Sequence, residues 1–132
     1  MDHAVQISQR SVENEYSVIN EENGILICRF KKGLNLNLEA ARKCVEMRKD
    51  FSEGRSYPLL VDMRELESVS REAREYMADE GASLVTAGAL LISSPVTRTI
   101  GNIFLMLNRP RVPGRLFNSK AAALAWLKEF TV

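Results

Sequence analysis

The chain has 132 residues, 45% of them apolar and 27% charged, with a net charge of +1. One domain of that length buries roughly two-thirds of its unfolded surface, so neither a disulfide framework nor a structural metal is needed to hold it together. No window approaches the roughly 18 apolar residues of a membrane-crossing helix, and scattered basic residues with few aromatics among them argue against nucleic acid.

Residues 1 to 10 have no usable period, and the first 13 are expected to form a flexible terminus that holds His3, the only histidine. Residues 14 to 132 are then one domain. Two strand-like runs, Tyr16 to Asn20 and Ile25 to Lys31, flank Glu21-Glu22-Asn23-Gly24. Asn-Gly supplies the positive φ angles of a tight hairpin turn, so the first two strands are antiparallel, the N-terminal one at the sheet edge. Asn37 is placed to cap a helix running to about Glu53, with Leu38, Ala41, Cys44, Val45 and Phe51 inward and Arg42, Lys43, Glu46, Lys49 and Asp50 outward. Pro58 to Asp62 is a short apolar strand ending in a carboxylate, and a second helix begins at Ser70 and runs to about Ala82.

The stretch from Thr86 to Phe117 has no acidic residue and organises the rest. Ala87 to Ile92 is a nearly continuous apolar run, as in a parallel strand covered on both faces. Ser94 then offers a capping acceptor, and Pro95 sits where a helix loses no hydrogen bond to proline. Val96, Ile100, Ile103, Phe104 and Leu107 form the predicted inward stripe, with Leu105 and Met106 outside it. Asn108 and Pro110 end this helix. A last strand lies near Arg115 to Phe117, and a last helix opens at Asn118 or Ser119, with Ala123, Leu124, Leu127 and Phe130 inward and Trp126 bridging core and surface. Strands alternating with helices predict an α/β fold: a single mostly parallel sheet of about five strands, an antiparallel N-terminal edge strand, and helices on both faces.

The order of elements, the opening hairpin, the strand closing on Asp62 and the run from SSPVTRTIGNIFLMLNRP to LFNSKAAALAWL resemble the SpoIIAA-like, STAS-type domain family. The likeness is greater to its small uncharacterised bacterial branch, often described as STAS/SEC14-like, and spans about residues 14 to 130. The resemblance implies one sheet with helices on both faces, and relatives that act by binding other proteins or apolar ligands. Anti-sigma-factor antagonist members carry a phosphorylated serine in an Asp-Ser-Gly type motif. The corresponding Glu67-Ser68-Val69-Ser70-Arg71-Glu72 lacks both the Asp-Ser pair and the glycine, which argues against that switch here.

Enzyme readings lack parts. The one histidine lies in the expected flexible terminus, so neither a serine nor a cysteine nucleophile has a base. Cys28 and Cys44 are 16 residues apart with no histidine to complete a metal site, and no glycine-rich phosphate or dinucleotide loop is present. No catalytic residue, metal or cofactor is expected. Without a leader pattern, two reduced, buried thiols in a cytoplasmic protein are the expectation.

Two candidate sites remain. Free amides at the start of the central helix, reinforced by Ser93, Ser94, Thr97 and Arg98, with Asp62 and Ser70 at the same end of the sheet, could hold the head of a small amphiphilic anion; equally, Ser94 only caps the helix. The run around Phe104, Leu105, Met106, Arg109 and Arg111 is apolar almost all round. It is either deeply buried or an exposed patch for a partner, most simply a second copy of the chain. Residues 1 to 80 carry 12 basic and 16 acidic side chains, residues 81 to 132 carry 6 and 1. The C-terminal part therefore offers a positive face unless the halves interleave. The expected function is non-enzymatic and regulatory, through contacts in a homodimer or with an unidentified protein. The alternative is carriage or sensing of an apolar or amphiphilic anion.

Overall fold

Asn23 and Gly24 set the first turn. In the computed structural model, which describes residues 10–131, both have positive φ, 50° and 83°, the conformation in which a two-residue hairpin follows the strand twist. They join antiparallel strands β2 (Ser17–Glu22) and β3 (Ile25–Phe30), with Glu22 opposite Ile25. Outside β2 lies β1 (Ser11–Glu13), paired antiparallel with it. The edge of the sheet is thus one strand farther out than predicted, and three residues assigned to a flexible terminus are sheet. All three are exposed, so no apolar alternation announces them. His3 and the rest of residues 1–9 lie outside the described residues.

The chain continues through β4 (Leu34–Leu36), α1 (Leu38–Ser52), β5 (Tyr57–Asp62), β6 (Leu66–Val69) and α2 (Arg71–Asp79), which ends in a tight turn at Glu80–Ala82. Then come β7 (Val85–Leu91), α3 (Pro95–Ile103) running on into a π-helical turn at Phe104–Asn108, β8 (Gly114–Phe117) and α4 (Lys120–Lys128). The predicted caps form: Asn37 accepts from Ala40 N, Ser70 from Ala73 N and Ser119 from Ala122 N. Glu53 closes α1 in the left-handed region, one residue before Gly54.

The main sheet has six strands in the order β1-β2-β3-β5-β7-β8, and the pairings from β3 to β8 are parallel. β4 and β6 pair separately as a small parallel sheet that the sequence did not announce. One face of the main sheet packs Ile27, Leu60, Ala87, Ala89 and Leu91 against Ala123 and Leu127 of α4. Ala87 and Ala89 keep that face of β7 flat, which lets Leu127 lie fully buried on it. Burial of such a leucine contributes about 1.5–3 kcal/mol. The opposite face, with Phe30, Leu59, Val61 and Leu90, is covered by α1, α2 and α3. β7 is therefore covered on both sides, as its composition predicts.

The inward stripe of α3 differs from the prediction. Thr97 and Gly101 are buried and Ile100, Phe104 and Leu105 half-buried, whereas Val96 and Leu107 are 57% and 72% exposed. The helix is turned by one position because Thr97 is bound into its cap. Gly101 also lets Leu116 approach: a Cβ there would lie 2.6 Å from Leu116 Cδ2.

Candidate functional site

The Ser94-Pro95 junction forms as expected, with a strand on one side and a helix on the other. Ser94 Oγ accepts from Thr97 N at 3.1 Å, and Thr97 Oγ1 accepts from the amides of Ser93 and Ser94, both at 3.0 Å. Thr97 is 1% exposed. Asp62 stands beside Leu91 in the sheet register and so reaches the same end as the junction. It is also buried, and its carboxylate takes Arg64 Nε at 2.9 Å and Nη2 at 2.8 Å. Ser70 Oγ accepts from Ala73 N and caps α2. Among the residues expected to hold an anion, Ser94, Thr97, Asp62 and Ser70 are thus engaged with the fold itself. Arg98 is exposed and makes no ion pair among the described residues.

The apolar run after Ile103 divides in two. Phe104 and Leu105 are half-buried and pack on the core, whereas Met106 and Leu107 are 75% and 72% exposed. The expected interface residues therefore do not share one surface. Arg109 is exposed with φ of 50°, ending the π turn, and Arg111 is tied to the end of α2 by Nη2 donating to Asp79 O at 2.7 Å.

Beneath Phe104 and Leu105 is a cavity of about 90 Å³, partly open to solvent, walled by Leu59, Val61 and Leu90 of the sheet, Met77 of α2 and Ile100 of α3, and bordered by the chain at 110–114. Two glycines make it. Gly88 lines the cavity from β7, and a Cβ there would meet nothing within 4 Å. At Gly114 a Cβ would fall 2.7 Å from Leu105 Cδ2, so the missing side chain seats Leu105 over the space. The signal in the sequence was a glycine inside an apolar strand, which weakens the strand and marks a close approach or a gap.

Residues 19–131 match the model of a family described as a domain of unknown function, DUF7793. The chain belongs to this family. Among solved structures, it is similar to an uncharacterised protein of the DUF3478 family with a SpoIIAA-like fold from Shewanella loihica PV-4. The TM-score is 0.60 at 16% identity, over 88% of this chain and 98% of that one. A protein of unknown function from Arthrobacter sp. FB24 matches with a TM-score of 0.35 at 26% identity, over 88% and 95% of the two chains. No curated protein matches. The fold of this DUF7793 domain is SpoIIAA-like, as the resemblance implied.

The described part of the DUF7793 domain has no helix long and apolar enough to cross a membrane, and no group of three or more His, Cys, Asp or Glu that could hold a metal ion. Its two thiols are free and buried. Burial, with Cys44 beside it, pushes the Cys28 thiol up from its ordinary 9.0 to about 12. Burial also raises Cys44, although Ser17 Oγ at 3.2 Å opposes this. A further buried group escaped the sequence reading: Arg48 of α1 is 3% exposed and donates Nη2 to Gly81 O at 3.1 Å. Its burial lowers its pKa.

Proposed function

We propose that this domain is a non-enzymatic, cytoplasmic binding module, and that its ligand is a small apolar or amphiphilic molecule held between the sheet and α2–α3. The observation that carries this reading is the apolar cavity of about 90 Å³ between the sheet and the helices. Protein interiors seldom leave such space unfilled, and an apolar void of this kind takes up apolar molecules. Engagement of Asp62 by Arg64 and of Ser94 by Thr97 supports a binding role over a catalytic one. Two free thiols fit a reducing compartment. The test is mass spectrometry of organic extracts from the purified chain, beside thermal melts with a panel of alkanols and acyl anions. A co-purifying molecule or a saturable rise in melting temperature supports the reading. An empty extract with no shift across the panel overturns it.

A second reading, regulatory self-association, is favoured by the exposure of Met106 and Leu107 next to each other on the outside of the π turn, with Val96 also exposed on α3. Exposed apolar neighbours of this kind suit a contact with a second copy or another protein. Sedimentation of the wild type against a Met106→Glu, Leu107→Glu variant tests it. A dimer that becomes monomeric in the variant supports the reading, and a wild type that stays monomeric at high concentration removes it.

A further inference from the structure

We propose that Arg74 is the anchor for the ligand's head group, and that the ligand is a short, unbranched monocarboxylate whose chain enters the cavity. This rests on the cavity reading above and adds the chemistry that selects the ligand. Among the described residues that line the cavity, Arg74 of α2 is the only charged one. It makes no ion pair among the described residues; Glu75, next to it in sequence, faces another side of the helix and is bound by Arg71 at 3.1 Å. Its acceptors are neutral and distant: Nε donates to Asn108 Oδ1 and Nη1 to Val69 O, each at 3.3 Å. A half-buried guanidinium at the wall of an apolar space, held only by an amide and a carbonyl, is matched by a carboxylate. Two parallel charge-assisted bonds form there in the geometry of the arginine fork. The incoming oxygen replaces Asn108 Oδ1, the last residue of the π turn that roofs the cavity.

The size of the space limits the tail. An engineered apolar cavity of about 150 Å³ holds the six carbons of benzene, so at about 90 Å³ this one suits a thin chain of about four carbons and excludes a ring or a two-chain lipid. The head group is thereby assigned away from the α3 N-terminus, where Ser94 and Thr97 satisfy one another, and onto the opposing helix.

Calorimetric titration of the full chain with pentanoate, pentanol and acetate tests this. Pentanoate is expected to bind, pentanol to bind about tenfold more weakly for want of a charge-assisted bond, and acetate, with no tail, not to bind. Arg74→Gln should abolish the preference for pentanoate and leave pentanol unchanged. Gly88→Val, whose side chain enters the open space, should abolish binding of both while melting no lower than wild type. Equal affinity for pentanoate and pentanol, or a preference that survives Arg74→Gln, overturns the carboxylate assignment and leaves the cavity reading standing. Binding that survives Gly88→Val, or no binding by any probe, overturns both.

Discussion

Arg64 holds Asp62 in a two-point clamp, with Nε 2.9 Å from Oδ1 and Nη2 2.8 Å from Oδ2, while its own amide donates to Oδ1 at 3.2 Å. The carboxylate is 8% exposed and the guanidinium 44%, so water screens one partner only. Removing the arginine leaves a buried charge with a single backbone donor. Arg64→Ala is therefore expected to cost about 1–2 kcal/mol, above the value of a fully exposed pair and below that of a fully buried one. Urea unfolding measures it. A loss under about 0.5 kcal/mol would show that solvent replaces the arginine.

Thr97 ties the end of β7 to the start of α3, because its hydroxyl accepts from two amides and donates to Ser94 O at 3.2 Å. Thr97→Val keeps the shape and takes the acceptor from two part-buried amides. The expected loss is about 1–3 kcal/mol, whereas Thr97→Ser, which keeps the oxygen, should lose less. A smaller loss for Thr97→Val than for Thr97→Ser, which lacks only the methyl, would assign the effect to packing and not to the cap.

The elements legible in the sequence are those whose chemistry is local. Asn23-Gly24 must turn, Asn37 and Ser70 must cap, and Ser94-Pro95 must start a helix, whatever the rest of the chain does. β4 and β6 are not legible, because each is a strand only through a partner some thirty residues away: the alternation of Leu34-Asn35-Leu36 spans three residues only, and Glu67-Ser68 breaks it in β6. The stripe of α3 was misread for a related reason. Hydrophobicity alone does not decide burial here, since Thr97 goes inward for its hydrogen bonds and Gly101 for its lack of bulk. The cavity follows from two glycines on adjacent parallel strands, Gly88 paired with Gly114. No spacing along one strand reveals that pairing.

Cys28 gives the fold an alkaline limit. Its folded pKa of about 12 lies above the ordinary 9.0 because burial favours the neutral thiol. Below the lower value both states hold the proton and the contribution is complete. Between the two values the unfolded chain ionises first, so stability falls as pH rises, by up to about 4 kcal/mol at about 1.4 kcal/mol per pH unit. Unfolding free energies of wild type and Cys28→Ala across pH 8–12 isolate this from other groups that titrate there. The wild-type curve should fall more steeply. Parallel curves would show that the thiol ionises as readily folded as unfolded.

Arg48 is a cation that the fold buries at a cost. Its Nη2 has the Gly81 carbonyl, its Nη1 has no partner among the described residues, and no carboxylate pairs with it. Burial lowers its pKa, the direction expected where a cation is poorly compensated. Arg48→Met keeps the long stem and removes the charge. It forfeits one hydrogen bond, about 0.5–1.5 kcal/mol, against the desolvation of an ion, several kcal/mol in a protein interior. The net expectation is a gain of about 1 kcal/mol or more, visible as a rise in melting temperature. Arg48→Lys, which concentrates the charge on a more strongly hydrated ammonium, should go the other way. If Arg48→Met were instead destabilised by more than about 1 kcal/mol, the bond to Gly81 would be fixing the turn at residues 80–82 against α1, and the guanidinium would be a strut rather than a burden.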